Sequence, residues 1–148
     1  MVILPRTWRG MSSVLVIEDE KGISGLIKEA LVRHGHCVET AEDGREGIRK
    51  FESGRFDLVI TDVLMPEVDG LGVLRHIRST PRRRTPVIGM SGTPWFLNDT
   101  GFDRVLAKPF SLQKLVDCVK GVAESTCSLQ PSTTSSAFGG KYPALSAC

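Results

Sequence analysis

The stretch DLVITDVLMPEVDG, Asp57 to Gly70, decides how the rest of the chain is read. Leu58 to Thr61 is too short and too uniformly apolar for a half-exposed strand, so it belongs in a sheet centre with Asp62 emerging at its tip. Asp69-Gly70 then makes a turn, and Leu71, Leu74 and Ile77 mark the helix that follows. Three other apolar runs end the same way. VLVI (14–17) leads into Glu18 and Asp19, VIGM (87–90) into Ser91, and VLA (105–107) into Lys108. Consecutive parallel strands present their carboxyl ends on one sheet edge, where loops gather such side chains into one pocket. Three carboxylates, one hydroxyl and one ammonium are a donor set for a divalent metal and a phosphoryl group.

Outward from this stretch the pattern alternates. Ile23, Leu26, Ile27, Ala30 and Leu31 recur at helical spacing, with Gly35 as the stop. His36 to Thr40 reads as a strand and Asp43 to Phe51 as a second helix, weakened by Gly44 and Gly47. Pro81 and Pro86 bracket the loop into the strand Val87 to Met90. The final helix carries Leu112, Leu115, Val116, Val119 and Val122 on one face, with Ser111 as its cap. Alternating strands and helices imply a doubly wound α/β fold: a five-stranded parallel sheet with helices on both faces.

The 148 residues fit one domain with a sizeable core. Hydrophobic residues at 41% and charged ones at 24% are ordinary for a globular protein, and a net charge of +2 argues for neither a nucleic-acid scaffold nor an acidic tail. Cys37, Cys118, Cys127 and Cys148 show no paired spacing, so free thiols in a reducing compartment are expected. No stretch reaches the ~18 apolar residues of a membrane span, and Pro5 interrupts Val2-Ile3-Leu4 before a signal-peptide core can form. A cytoplasmic location without membrane contact follows as an expectation.

With Ile17-Glu18-Asp19-Glu20 before it and Ala107-Lys108-Pro109-Phe110 after it, the stretch from Asp57 to Gly70 resembles the response-regulator receiver domains of two-component signalling, chemotaxis regulators among them. The five ordered anchors are far more specific together than singly. The resemblance implies a flavodoxin-like strand order of 2-1-3-4-5, which makes the first and third strands neighbours and brings Glu18, Asp19 and Asp62 together. It divides the chain into an N-terminal extension (1–11), a receiver domain (12–123) and a disordered Ser/Thr-rich tail (124–148) too short for an output domain, so a receiver standing alone is expected.

The resemblance also assigns roles. Asp62 is the expected phosphoacceptor, not an enzyme's turnover site, receiving phosphate from a histidine kinase or histidine phosphotransfer protein. Mg2+ is the expected cofactor, held by Glu18, Asp19, Asp62 and the backbone carbonyl of Leu64. Lys108 places a positive charge on the phosphoryl oxygens and Ser91 donates a hydrogen bond to them. The Lys108–Pro109 bond is expected to be cis. Output would pass to a downstream protein through protein contacts, without direct DNA binding. Two other readings compete. One is a receiver-like interaction module that is never phosphorylated. The other, a haloacid-dehalogenase-like phosphatase, places its nucleophile after the first strand, whereas the acceptor here follows the third.

The family pattern breaks in two places. Receivers carry a mobile aromatic residue in the fifth strand, where this chain has Val105. Lys108 also follows Ser91 by only 17 positions. That interval must hold a fourth helix, a loop and the fifth strand, so the fourth helix is expected as a stub from about Pro94 to Asp99, or missing. Other features take their plainer readings. Arg82, Arg83 and Arg84 are a solvated charge run, His34 and His36 lack partners for a zinc site, and Trp95 and Phe96 cover the core.

Overall fold

The computed structural model describes residues 12–129, with side chains described as far as Glu124. Five strands, β1 (Ser13–Ile17), β2 (Cys37–Ala41), β3 (Leu58–Asp62), β4 (Val87–Ser91) and β5 (Arg104–Ala107), form one parallel sheet in the order β2-β1-β3-β4-β5. Four α-helices connect or follow them: α1 (Lys21–Arg33), α2 (Gly44–Ser53), α3 (Gly70–Arg78) and α4 (Leu112–Leu129). This is the doubly wound topology that the strand tips require.

Burial follows strand position. Every residue of β3 and β4 is buried, whereas the edge strands β2 and β5 keep exposed or half-buried positions. Alternation within strands separates two cores. Val14, Val16, Ile60 and Met90 face α1 and α4, meeting Ile27, Leu31, Leu115 and Val119. Leu15, Ile17, Val59 and Val87 face α2 and α3, meeting Phe51, Val73, Leu74 and Ile77. A one-residue slip in any central strand would exchange the two sets.

Local chemistry sets the helix ends. The Asp43 carboxylate accepts from the Glu46 amide at 2.8 Å to start α2, and Asp69 accepts from the Gly72 amide at 2.8 Å to start α3. Ser111 caps α4 through the Lys114 amide at 3.0 Å. After α1, Gly35 takes a φ of +92°, a conformation that glycine adopts without strain.

Between β4 and β5 there is no α-helix. A single 3-10 turn, Pro94–Leu97, spans the crossover, as the short interval from Ser91 to Lys108 predicts. The turn buries Leu97 but leaves Trp95 and Phe96 exposed, with ring centroids 6.0 Å apart. That corrects their assignment as core cover: one turn presents only one side to the sheet, and Leu97 occupies it.

Three further expectations change. α4 continues to Leu129, past Glu124 where the tail was expected to begin; no helix-breaking residue intervenes before Pro131. Residues 1–11 and 130–148, which include most of the expected extension and tail, lie outside the described residues. Cys37 is disulfide-bonded, contrary to the expectation of free thiols, while Cys118 is a free cysteine. Finally, Arg82 is half-buried and engaged, not a free surface charge. Its guanidinium donates to the carbonyls of Gly54 and Glu52 and lies 4.9 Å from the centroid of the Phe51 ring. Among the described residues, no helix is long and apolar enough to cross a membrane.

Candidate functional site

Strand register brings the site together. Ile17 pairs with Thr61, so the next residues, Glu18 and Asp62, stand at adjacent strand tips. Ser91 pairs with Ala107, so Lys108 follows one residue beyond the β4–β5 pairing. These strands lie on both sides of the point where the strand order reverses, which is where doubly wound sheets open a crevice.

In that crevice, one carboxylate oxygen each from Glu18, Asp19 and Asp62 lies within 4.8 Å of the others. The Lys108 Nζ is 3.2 Å from Asp62 Oδ1 and 3.5 Å from Glu18 Oε1. Glu18 and Asp62 are buried while Asp19 is exposed at the mouth. Glu18 Oε2 accepts from the Glu20 amide at 3.1 Å, but its buried Oε1 has no hydrogen-bond partner.

The electrostatics are unbalanced. Three carboxylates face one ammonium, and the desolvated Glu18 bears the consequence. Burial, followed by the charge on Asp62, pushes its carboxyl pKa up to about 7, against the opposing pull of the Glu20 amide and Lys108. For Lys108, burial opposes the charged form, but Asp62 and Glu18 outweigh it and its pKa is raised. A buried carboxylate oxygen with no hydrogen bond and only a 3.5 Å ion-pair contact, beside two other hard oxygen donors, is chemically suited to a small divalent cation such as Mg2+.

The remaining expected residues take these places. The Ser91 hydroxyl opens the neighbouring loop and accepts from the Thr93 amide at 2.9 Å, with the Thr93 hydroxyl 3.3 Å away. The Ser91 carbonyl accepts from the Lys108 amide at 2.8 Å, tying the two strand ends together. Lys108–Pro109 is cis. Leu64 is the second residue of the loop after β3, with an exposed side chain.

Two contributors escaped the sequence reading. Thr93 holds the Ser91 hydroxyl across a local turn two residues long, a contact that serine side chains make with the backbone ahead of them. Gly70 lies so close to β3 that a Cβ there would sit 2.5 Å from the Asp62 carbonyl oxygen and 2.7 Å from the Val63 Cα. Asp-Gly read as a turn concealed this close approach of backbone to backbone.

An acidic pocket at the switch point of a 2-1-3-4-5 parallel sheet, with a lysine facing its central aspartate, defines a flavodoxin-like protein with a charged crevice at the carboxyl ends of its strands. The chain belongs to the response regulator receiver domain family, whose model matches residues 14–120. Among curated relatives, it is 34% identical to the transcriptional regulatory protein TrcR of Mycobacterium tuberculosis over 135 residues, covering 86% of this chain and 52% of the relative. The chain thus spans about half the length of the curated relatives it matches. Among solved structures, it is similar to the chemotaxis protein CheY4 of Vibrio cholerae (30% identity, TM-score 0.70, covering 76% of this chain and 98% of that one). It also resembles the response regulator TrrA of Thermotoga maritima, solved in complex with Mg2+ and BeF (35% identity, TM-score 0.69, covering 76% and 99%).

Proposed function

We propose that the chain is a phosphoaccepting response regulator in which Asp62 takes a phosphoryl group from a histidine kinase or a histidine phosphotransfer protein. The observation carrying this reading is the Lys108 ammonium 3.2 Å from Asp62, beside Glu18 and Asp19 oxygens that lie within 4.8 Å of an Asp62 oxygen. An Asp62 oxygen attacks the phosphorus, the P–N bond to the donor imidazole breaks, and that nitrogen keeps the bonding pair. An acyl phosphate on Asp62 results.

The barrier is one of charge, because a carboxylate anion approaches an anionic phosphoryl group. Glu18, Asp19, Asp62 and the Leu64 carbonyl would hold Mg2+, which when bound neutralises charge on the phosphoryl oxygens. Lys108 supplies a fixed cation, already oriented by its contacts to Asp62 and Glu18. The Ser91 hydroxyl, once released from Thr93, donates to a phosphoryl oxygen. The protein acts as an acceptor and switch, not as an enzyme with its own substrate, and output passes to a downstream protein in the cytoplasm.

With Val105 in β5 and a single turn between β4 and β5, the readout falls to the segment Gly92 to Gly101. A phosphoryl group adds about −1.5 to −2 charge, enough to bias a loop held by the Ser91–Thr93 contacts. Incubation with acetyl phosphate and Mg2+, followed by intact mass, tests the acceptor. One phosphoryl group is expected, absent in Asp62→Asn. No gain at any Mg2+ concentration would favour the interaction module instead. Amide exchange with and without beryllofluoride tests the readout. Protection changes across Leu112 to Val122 that spare Gly92 to Gly101 would count against it.

A further inference from the structure

The pole opposite the acceptor site carries a cleft of about 480 Å3 at the amino ends of β3 and β4. Arg55, Arg83 and Arg84 line it together with Phe56 and Pro81. All three arginines are exposed, and none of their side chains makes a hydrogen bond or ion pair among the described residues. We infer that this cleft binds a small soluble ligand carrying two or more linked phosphate groups, such as a nucleoside diphosphate or pyrophosphate.

Three observations carry this inference. First, the structural work expected of basic residues here is already done by others. Arg82 serves the carbonyls at the end of α2, and Arg78 donates to the carbonyls of Arg83 and Thr85 at 2.8 Å each and pairs with Asp103 at 2.9 Å. Arg55, Arg83 and Arg84 are surplus to the fold, so their charge has no internal use.

Second, the loop that presents Arg83 and Arg84 is pinned. Besides the Arg78 and Arg82 bonds, the Arg82 amide donates to the Thr80 hydroxyl at 3.1 Å, and both the amide and the hydroxyl of Thr85 donate to the Arg82 carbonyl, at 3.1 and 2.9 Å. A loop ordered before binding loses little entropy on capture of a ligand. Third, the size and donors match. About 480 Å3 falls within the range of small-molecule sites. Guanidinium forks match phosphate oxygens in bidentate geometry, and three of them balance a multiply charged anion. The acidic side chain in the lining, Asp57, is engaged by the Ser13 amide at 2.8 Å.

Calorimetric titration of the full chain with pyrophosphate, in chelator and at low salt to keep metal out of the Asp62 site, tests the inference. One binding event per chain is expected, weakened at least tenfold in Arg83→Ala/Arg84→Ala and in Arg55→Ala. It should be unchanged in Arg45→Ala, a control on an exposed arginine outside the cleft. Both sets of variants should melt like the parent, because none of these arginines serves the core. Adenosine diphosphate should compete with pyrophosphate, and citrate at equal charge should not. Absence of heat, equal loss in the control variant, equal binding of citrate, or retention only on duplex DNA or on vesicles containing phosphatidic acid would overturn it.

Discussion

Metal binding at the acidic site should be strongly linked to protons between pH 6 and 8, because Glu18 must lose one to act as a ligand. Its carboxyl, buried and with one oxygen lacking a hydrogen bond, titrates near pH 7 in the metal-free protein. At pH 6 about nine molecules in ten hold the proton, and at pH 8 about one in ten. Apparent Mg2+ affinity should therefore be about tenfold weaker at pH 6 than at pH 8, with about 0.9 proton released per ion at pH 6 and about 0.1 at pH 8. Calorimetry in two buffers of different protonation enthalpy measures both quantities. Glu18→Gln should bind more weakly and lose most of the pH dependence.

The same group carries a stability consequence of definite sign. A carboxyl whose folded pKa is raised contributes stability that is fully present below its unfolded value of 4.5 and lost as pH rises through about 7. The shift corresponds to about 3 kcal/mol across that window. The metal-free parent should lose this relative to Glu18→Gln, and saturating Mg2+ should restore much of it. A Mg2+ affinity constant within twofold from pH 6 to 8, without proton release, would refute the reasoning.

Other perturbations probe the supports of the site and the core. Gly70→Ala should cost about 1–3 kcal/mol, because its Cβ would press on the backbone of Asp62 and Val63; urea denaturation measures the loss, and the acetyl phosphate reaction should slow with it. Lys108→Ala, which leaves Glu18 and Asp62 facing each other without their cation, should lower the unfolding free energy measured in urea by about 1–2 kcal/mol, an amount moderated by the lysine's partial exposure. Its phosphorylation yield should fall sharply under the same conditions. His36 is buried with Nδ1 unpartnered, and burial, then His34, lowers its pKa below 6.5. Its stability contribution is full above pH 6.5 and lost as pH falls through that value toward the lower folded one. Stability relative to His36→Leu should decline between pH 7.5 and 5.5, and a flat difference would contradict this. Phe51→Ala, which empties a buried site and removes the ring beneath Arg82, should cost about 3–5 kcal/mol by thermal or urea unfolding.

Much of the molecule was legible from local pattern. Strands buried on both faces read as unbroken apolar runs, and the reactive residues stood out because each interrupts such a run at its carboxyl end. The absent fourth helix was legible by counting, since Gly92 to Ala107 leaves room for a strand and little else. The glycines of α2 looked like a weakness and are packing devices: a Cβ on Gly47 would collide with Ile17. No helical propensity scale contains that information, because the neighbour lies in a strand distant in the sequence.

What the sequence alone determined, then, is the succession of elements and the identity of the charged groups at their tips, both properties of short windows. Whether those groups meet was decided by register between β1 and β3 and between β4 and β5, pairings between segments far apart in the chain. Tertiary packing also decided that Glu18 is buried and Asp19 exposed, and that Arg82 turns inward while Arg83 and Arg84 stay out. Each of these depends on which surfaces come together, and burial, with the pKa values and contacts it imposes, exists only once they do.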